Sequence, residues 1–312
     1  MSGQIILPAY TGPIKGYGYN EASVTTYQGS TLYRGSIVFD AAAGVYKMII
    51  PNVWKKNYNT NFYSEEWSSP DGLNWSVSFS QSSTSNAPAS NAYNNGTYRR
   101  FSTAAYNNQV YALVANTYIG GNKYIAIGQT YGTTTYHLCF FLDYSSGTLV
   151  TTNSSISDNV IFESVHSEGN TVIATGNLES SKSGTHISTD LGQSWSAKNS
   201  TVYGSKVTYG NNKWVIGRSN GTIYYSSDGI NWTSITVPNC NDASSITFGD
   251  GMFVINSRNY INYSTDAMHW SSINIPNSRC KSMGHYGDGK FIFASWDKTT
   301  AQTLTLTSIL TI

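Results

Sequence analysis

The sequence predicts an all-β chain built as a β-propeller, a ring of antiparallel sheets around a central axis, on three observations. A blade-sized motif recurs, turn clusters punctuate the chain at matching intervals, and the composition suits strands and tight turns. Among 312 residues there are 24 Tyr, 8 Trp and 28 Gly, types that favour pleated strands and sharp reversals. No apolar pattern of helical spacing lasts beyond a turn or two. A radially repeated β fold grows by adding blades, so this length fits a single propeller of four-stranded blades.

The motif appears four times. The copies are Ser69-Pro-Asp71-Gly-Leu-Asn-Trp75, Ser188-Thr-Asp190-Leu-Gly192-Gln-Ser-Trp195, Ser226-Ser-Asp228-Gly-Ile-Asn-Trp232 and Ser264-Thr-Asp266-Ala-Met-His-Trp270. Asp190, Asp228 and Asp266 are spaced 38 residues apart, the length of four short strands with their turns. The chemistry is local. The Asp accepts hydrogen bonds from amides of the turn, a Gly takes a positive φ, and the Trp covers the hairpin.

The 188–195 copy fits the Asp-box pattern, Ser-x-Asp-x-Gly-x-x-Trp, without departure. It resembles the repeats of bacterial neuraminidases and of several other propeller families. The other three copies are one residue shorter between Asp and Trp, and Ala267 replaces the Gly in the last. The resemblance implies that each box joins the third and fourth strands of a blade, on the rim and away from a ligand site. Ser69, Asp71, Trp75, Ser188, Asp190, Gly192, Trp195, Ser226, Asp228, Trp232, Ser264, Asp266 and Trp270 are accordingly assigned structural roles.

A second signal gives the blade count. An aromatic or His residue precedes a turn cluster at Phe39, Tyr106, His166, Tyr209, Phe248 and Tyr286, and a strand follows. Read as the turns between first and second strands, these predict six blades, with seven as the alternative. The blades run over 32–80, 98–152, 157–198, 200–237, 240–276 and 278–312. On this map 81–97 and 116–137 are insertions, and a degenerate box lies near Asp143–Gly147. Residues 1–31 lack the repeat. They form either an N-terminal arm or a strand that pairs into the last blade and removes an open sheet edge, leaving 32–312 as the propeller.

Charge is scarce. Asp, Glu, Lys and Arg make up 11% of the chain and the net charge is +1, against roughly 25% charged residues in an average soluble domain. A global field for nucleic acid is excluded, and no apolar stretch approaches the ~18 residues of a membrane helix. The blade map sets first-to-second and third-to-fourth turns on one face. Second-to-third turns and inter-blade links lie on the other. All six arginines, Arg34, Arg99, Arg100, Arg218, Arg258 and Arg279, map to the second face. The planar guanidinium fork suits carboxylate, sulfate or phosphate, so these six are the candidate ligand residues for an acidic glycan. Trp54, Trp67, Tyr93, Tyr98, Tyr118, Tyr131 and Trp296 are candidate sugar platforms.

The neuraminidase resemblance implies an Arg-Ile-Pro motif, an arginine triad, a Tyr–Glu nucleophile pair and an aspartate acid/base. Here Arg34 is followed by Gly35-Ser36. Arg218 and Arg258 fit a triad and Glu163 sits on a predicted channel strand, but nothing resembles the acid/base loop. The five histidines show no metal spacing, and no phosphate loop leads into a helix, so no catalytic residue, metal or cofactor is assigned. Three cysteines, Cys139, Cys240 and Cys280, are too few for a disulfide framework, although Cys240 and Cys280 lie about one repeat apart. Low charge with abundant Asn, Ser, Thr and Tyr is similar to phage tail-fibre, tailspike and decoration proteins and to propeller lectins. The start of the chain shows no secretory leader. These features give the expectation of a virion or extracellular recognition module. It would bind a cell-surface glycan, and residues 1–31 are available to dock another virion protein. A sialidase-like hydrolase and a purely structural docking protein are the alternatives.

Overall fold

The computed structural model describes residues 2–5, 14–23, 31–32, 36–56, 59–72, 74–83, 90–94, 96–101, 103–106, 109–129, 137–144, 150–153, 161–176, 183–196, 199–257, 259–274, 283–296 and 303–311. Among them are 28 strands and no helix. Strands β1 (Ser2–Ile5) and β2 (Ile14–Ser23) pair with each other. β3 (Thr31–Leu32) and β4 (Ser36–Asp40) both pair with β5 (Val45–Lys56), which leads to β6 (Asn59–Ser69) and β7 (Ser76–Ser83). A separate hairpin follows, β8 (Ser90–Asn94) and β9 (Thr97–Phe101). The next sheet holds β10 (Thr103–Tyr106), β11 (Gln109–Gly120), β12 (Lys123–Gln129), β13 (His137–Asp143) and β14 (Val150–Asn153).

Three compact sheets come next. They are β15 (Ser164–Glu168), β16 (Thr171–Gly176) and β17 (Gly184–Ser188); then β18 (Lys206–Gly210), β19 (Lys213–Gly217), β20 (Thr222–Ser226) and β21 (Thr233–Thr236); then β22 (Thr247–Gly249), β23 (Met252–Ser257), β24 (Tyr260–Ser264) and β25 (Ser271–Asn274). The last sheet joins both ends of the chain. β26 (Met283–Gly287), β27 (Lys290–Trp296) and β28 (Thr303–Thr311) are extended by β2 and then β1. β2 pairs with β28 over nine partners from Ile14–Thr311 to Ser23–Thr303. That pairing covers the edge β28 would otherwise expose.

The described residues form seven antiparallel sheets, six of three to five strands and one of two, arranged as a β-propeller as predicted. The strands nearest the axis contact one another in the cyclic order β4, β8, β11, β15, β18, β22, β26 and back to β4. The hairpin β8–β9 thus adds a seventh strand to the channel wall. This corrects the reading of 81–97 as an insertion. The Asn-Gly step at Asn95-Gly96, a hairpin signal, was outweighed there by the Ser- and Pro-rich stretch before it. The 116–137 segment is likewise no insertion, since β11 and β12 occupy most of it. The turn of the second full sheet equivalent to the others is Gly120–Asn122, between β11 and β12, and Tyr106 precedes a peripheral turn. Phe39, Tyr209, Phe248 and Tyr286 do stand next to last in the innermost strands of their sheets, and His166 lies at the middle of its strand.

These aromatics explain why the repeat closes into a ring. Phe39–Tyr46, Phe248–Phe253 and Tyr286–Phe291 stack across their hairpins at 4.8 Å and Tyr209–Trp214 at 4.9 Å. A glycine follows three of them. A Cβ on Gly210 would lie 2.2 Å from the Phe248 ring, and one on Gly249 1.9 Å from Tyr286. One on Gly287 would lie 2.5 Å from Phe39. Phe248 and Tyr286 therefore sit on the glycine of the preceding blade, and Phe39 sits on that of the last. The turns take positive φ at both central residues, +44° and +57° at Asn211-Asn212, +47° and +70° at Asp250-Gly251, and +48° and +70° at Asp288-Gly289. This conformation matches the twist of two-residue hairpins.

The four Ser-x-Asp turns repeat one geometry. The Ser hydroxyl donates to the Asp at 2.9, 2.7, 2.8 and 3.0 Å. It accepts from the amide of Gly72, Gly192, Gly229 and Ala267 at 2.8–2.9 Å. The Trp indole N–H donates to the carbonyl of that same residue at 2.8–3.2 Å. Hydrogen bonds from Ser194 hold the Asp190 carboxyl down at about 2. The amide and side chain of Asn231 hold Asp228 well below the carboxylate range. Asn211 Nδ2 donates at 2.8 Å both to Gly251 O and to Thr265 O, in the two kinds of turn of the next blade. First-to-second and third-to-fourth turns therefore share a face. Cys139 and Cys240 are buried in blade cores, and Cys280 lies outside the described residues.

Candidate functional site

The strands nearest the axis enclose a channel of about 390 Å³. Each such strand except β11, which β10 flanks over Gln109–Ala112, has an inner edge with no strand beside it among the described residues, so its N–H groups need other acceptors. Side chains of the preceding inner strand supply them. Ser36 Oγ accepts from Asn91 N at 2.8 Å, Thr117 Oγ1 from Ser167 N at 3.0 Å and Ser164 Oγ from Val207 N at 3.1 Å. His285 Nε2 accepts from Phe39 N at 3.0 Å. That last bond fixes the tautomer, with any proton of the neutral ring on Nδ1, and links the last blade to the first.

The channel wall is largely polar. It includes Asn91, Asn94, Asn116, Glu163, Lys206, His166, His285 and the tyrosines Tyr93, Tyr118, Tyr209 and Tyr286. Glu163, just before β15, and Lys206, at the start of β18, are the charged residues among the described lining. Burial drives both imidazoles down to about 4, and the positive charge of Lys206 adds to the shift in each. His166 and His285 are therefore neutral at pH 7. His285 serves as a hydrogen-bond acceptor and His166 lies edge-on to the Trp214 ring, and no cluster of three metal-ligating side chains exists among the described residues.

The predicted arginine face does not assemble. Arg34, Arg258 and Arg279 lie outside the described residues. Arg99 and Arg100 are not in an inter-blade link but within β9, where neighbouring side chains point to opposite faces. Arg99 therefore turns toward the β11–β14 sheet and its guanidinium lies 4.5 Å from the Tyr144 ring, beside a third-to-fourth turn. Arg100 turns toward the first blade. Its Nε and Nη2 donate to Glu66 at 2.6 and 2.9 Å, and Glu66 is 2% exposed. Burial pushes the Glu66 carboxyl up, but bonds from Arg100 and Tyr98 outweigh it and hold the group below its ordinary value. Tyr98 also donates to Glu66. The trio is a clasp between β6 and β9, and its acid is internal.

Arg218 keeps its predicted side. It follows β19 in a second-to-third turn, and its carbonyl accepts from Ala243 N in the link to the next blade at 2.8 Å. Its guanidinium stacks 4.2 Å from the Tyr203 ring and donates to the Tyr203 hydroxyl at 2.8 Å. Of the aromatic candidates, Tyr93 and Tyr118 line the channel. Trp67 is a core residue and Tyr98 belongs to the clasp. The side chains of Trp54, Tyr131 and Trp296 lie outside the described residues. Of the channel wall, Glu163, Tyr93 and Tyr118 were singled out from the sequence as site candidates, and His166, Tyr209, Phe248 and Tyr286 only as turn markers; the other members share no motif and meet only when the ring closes.

Solved structures similar in fold are β-propellers. One is a chain of a nidogen/laminin complex (TM-score 0.50, 8% identity, 86% of either chain). Another is Trypanosoma rangeli sialidase in complex with sialic acid (TM-score 0.48, 13% identity), which covers 98% of this chain and 58% of the sialidase. A third is YCF48 from Cyanidioschyzon merolae (TM-score 0.42, 17% identity, 62% of this chain and 70% of that one). At these identities the likeness concerns the fold. No family profile and no curated protein matches the chain.

Proposed function

We propose that this propeller is a non-enzymatic surface-recognition module that binds a cell-surface glycan in its central channel. The observation that carries the reading is the channel itself, a concave space of about 390 Å³ with a wall of amides, hydroxyls and tyrosine rings. Such a wall offers both hydrogen bonds and stacking faces to a hydroxylated ring. A purely structural docking role calls instead for a flat apolar face. A glycosidase of the usual kind needs two carboxylates roughly 5–9.5 Å apart. Glu163 is the one carboxylate among the described channel residues, and Glu66 is locked by Arg100.

Composition supports a phage tail, tailspike or decoration protein, or a propeller lectin, as the setting; β1 and β2 are built into the last sheet, so any contact of residues 1–31 with a virion partner would be made from that sheet and not by a free arm. A glycan array followed by titration of the best hit tests the reading. Binding should weaken when Lys206→Ala alters the channel wall while thermal unfolding stays cooperative. Release of product from a fluorogenic sialoside or a capsular polysaccharide would replace recognition with hydrolysis. A blank array together with stable co-purification with a virion protein would replace it with docking.

A further inference from the structure

Arg218 is a cation that the fold holds in place and that no acid among the described residues pairs with. Its backbone is pinned by three bonds, N to Thr222 O at 2.9 Å, Ala243 N to its carbonyl at 2.8 Å and Gly221 N to the same carbonyl at 3.3 Å. Its side chain is confined between two tyrosines. Nη2 donates to Tyr203 at 2.8 Å, Nη1 reaches the Tyr224 hydroxyl at 3.5 Å, and the tyrosine rings are 6.4 Å apart. No ion pair with a described acid involves it. The acid on the adjoining link, Asp242, accepts from Ser244 N at 2.8 Å.

A guanidinium has five N–H donors, and the two tyrosines engage two. Nε is among those left, and it is buried with no acceptor among the described residues. A buried donor without an acceptor is costly, and where one occurs a water, ion or ligand oxygen is the usual explanation. Stacking and the fixed backbone have already removed the side chain's rotamer freedom, so little ordering remains for a ligand to impose.

We propose that Arg218, clamped by Tyr203 and Tyr224 at the turn after β19, is a binding site for the carboxylate of an acidic sugar. The inference rests on the glycan-recognition reading and extends it to a site outside the channel, whose wall includes none of the three residues. A carboxylate is planar and carries two acceptor oxygens at the spacing of the guanidinium edge. The tyrosine rings beside it give the C–H face of the attached sugar an apolar surface. Sulfate and phosphate share the charge but not the planarity.

The test uses the full chain, D-glucuronate as the probe and its uncharged amide as the control, read by saturation-transfer NMR and titration. Glucuronate should bind at least about tenfold more tightly than the amide, and Arg218→Gln should remove about tenfold of that affinity, the range of a charged hydrogen bond. Arg218→Lys keeps the charge and loses the fork, and should not restore binding. Tyr203→Phe, which keeps the ring, guards against a failure of Arg218→Gln to fold and should weaken glucuronate binding by a smaller factor.

Equal affinity for acid and amide overturns the site. So does unchanged binding in a folded Arg218→Gln protein, or equal competition by inorganic sulfate. If Lys206→Ala abolishes glucuronate binding and Arg218→Gln does not, the acid belongs in the channel and the Arg218 site falls while glycan recognition stands. If glucuronate binds through Arg218 but the array is blank, the site stands and the channel reading falls.

Discussion

Replacing Gly229 with alanine should destabilise the propeller by about 2–4 kcal/mol, from two additive costs, backbone strain and overpacking. Gly229 has φ +74°, where an alanine is strained by about 1 kcal/mol relative to glycine. A Cβ there would lie 2.9 Å from Ile187 Cδ1 and 3.1 Å from Ile173 Cδ1 on the preceding blade, and overpacking a filled interface costs about 1–3 kcal/mol. The fourth turn carries the reverse experiment. Ala267 sits at the equivalent position with φ +63° and 0% exposure. Ala267→Gly relieves about 1 kcal/mol of strain and gives up about 0.8 kcal/mol of buried methyl, so it should change stability by less than about 0.5 kcal/mol. For 312 residues, unfolding entropy scales so that 1 kcal/mol moves Tm by about 1.5 °C. Gly229→Ala should therefore lower Tm by about 3–6 °C, and Ala267→Gly should move it by under about 1 °C. Urea unfolding monitored by tryptophan fluorescence gives an independent measure. An unchanged Tm in Gly229→Ala, or an equal loss in both variants, would show that the turn does not pack on the neighbouring blade as described.

Other perturbations separate the remaining contacts. His166 and His285 titrate near 4 when folded against about 6.5 when unfolded. Protons are then taken up by the unfolded chain first, and stability should fall as pH drops from about 6.5 to about 4. His285→Gln should flatten that slope in pH-dependent thermal unfolding, and an identical slope would remove His285 from the account. Asp190 and Asp228 have depressed folded values, so their contribution is present above about pH 4 and is lost as pH falls through them. In Asp228→Asn the low-pH loss should be smaller. Arg100→Ala strands the buried Glu66 carboxylate and should cost about 2 kcal/mol, discounted because the arginine end is partly exposed. Restoration of that loss by the further change Glu66→Gln is the diagnostic double-mutant result.

Part of this architecture was legible because its causes are local. In each Ser-x-Asp turn the Ser, Asp, Gly and Trp contacts span two to four residues, so the motif contains its own hydrogen-bond partners. The aromatic-before-turn signal has the same character at Tyr209, Phe248 and Tyr286, whose partners lie across one hairpin. It misplaced one turn at Tyr106, where a peripheral hairpin copies the pattern without facing the axis. The arginines expose the limit. Arg100 meets Glu66, 34 residues away, and which acid would meet it depended on whether 81–101 was an insertion or a wall strand.

The sequence by itself determined that the chain is a ring of repeated sheets, where its tight turns fall and which two kinds of turn share a face. Only the tertiary structure decided which side chains look into the channel and that Arg100 pairs its charge with Glu66 while Arg218 is held between two tyrosines. Ring closure brings Phe39 N onto His285, 246 positions away, and sets Lys206 where it acts on histidines of two other blades. Partners separated by hundreds of residues leave no trace in a local window. They are selected by blade packing, which is set by side-chain volume at glycines such as Gly210 and Gly249 rather than by any motif of the site itself.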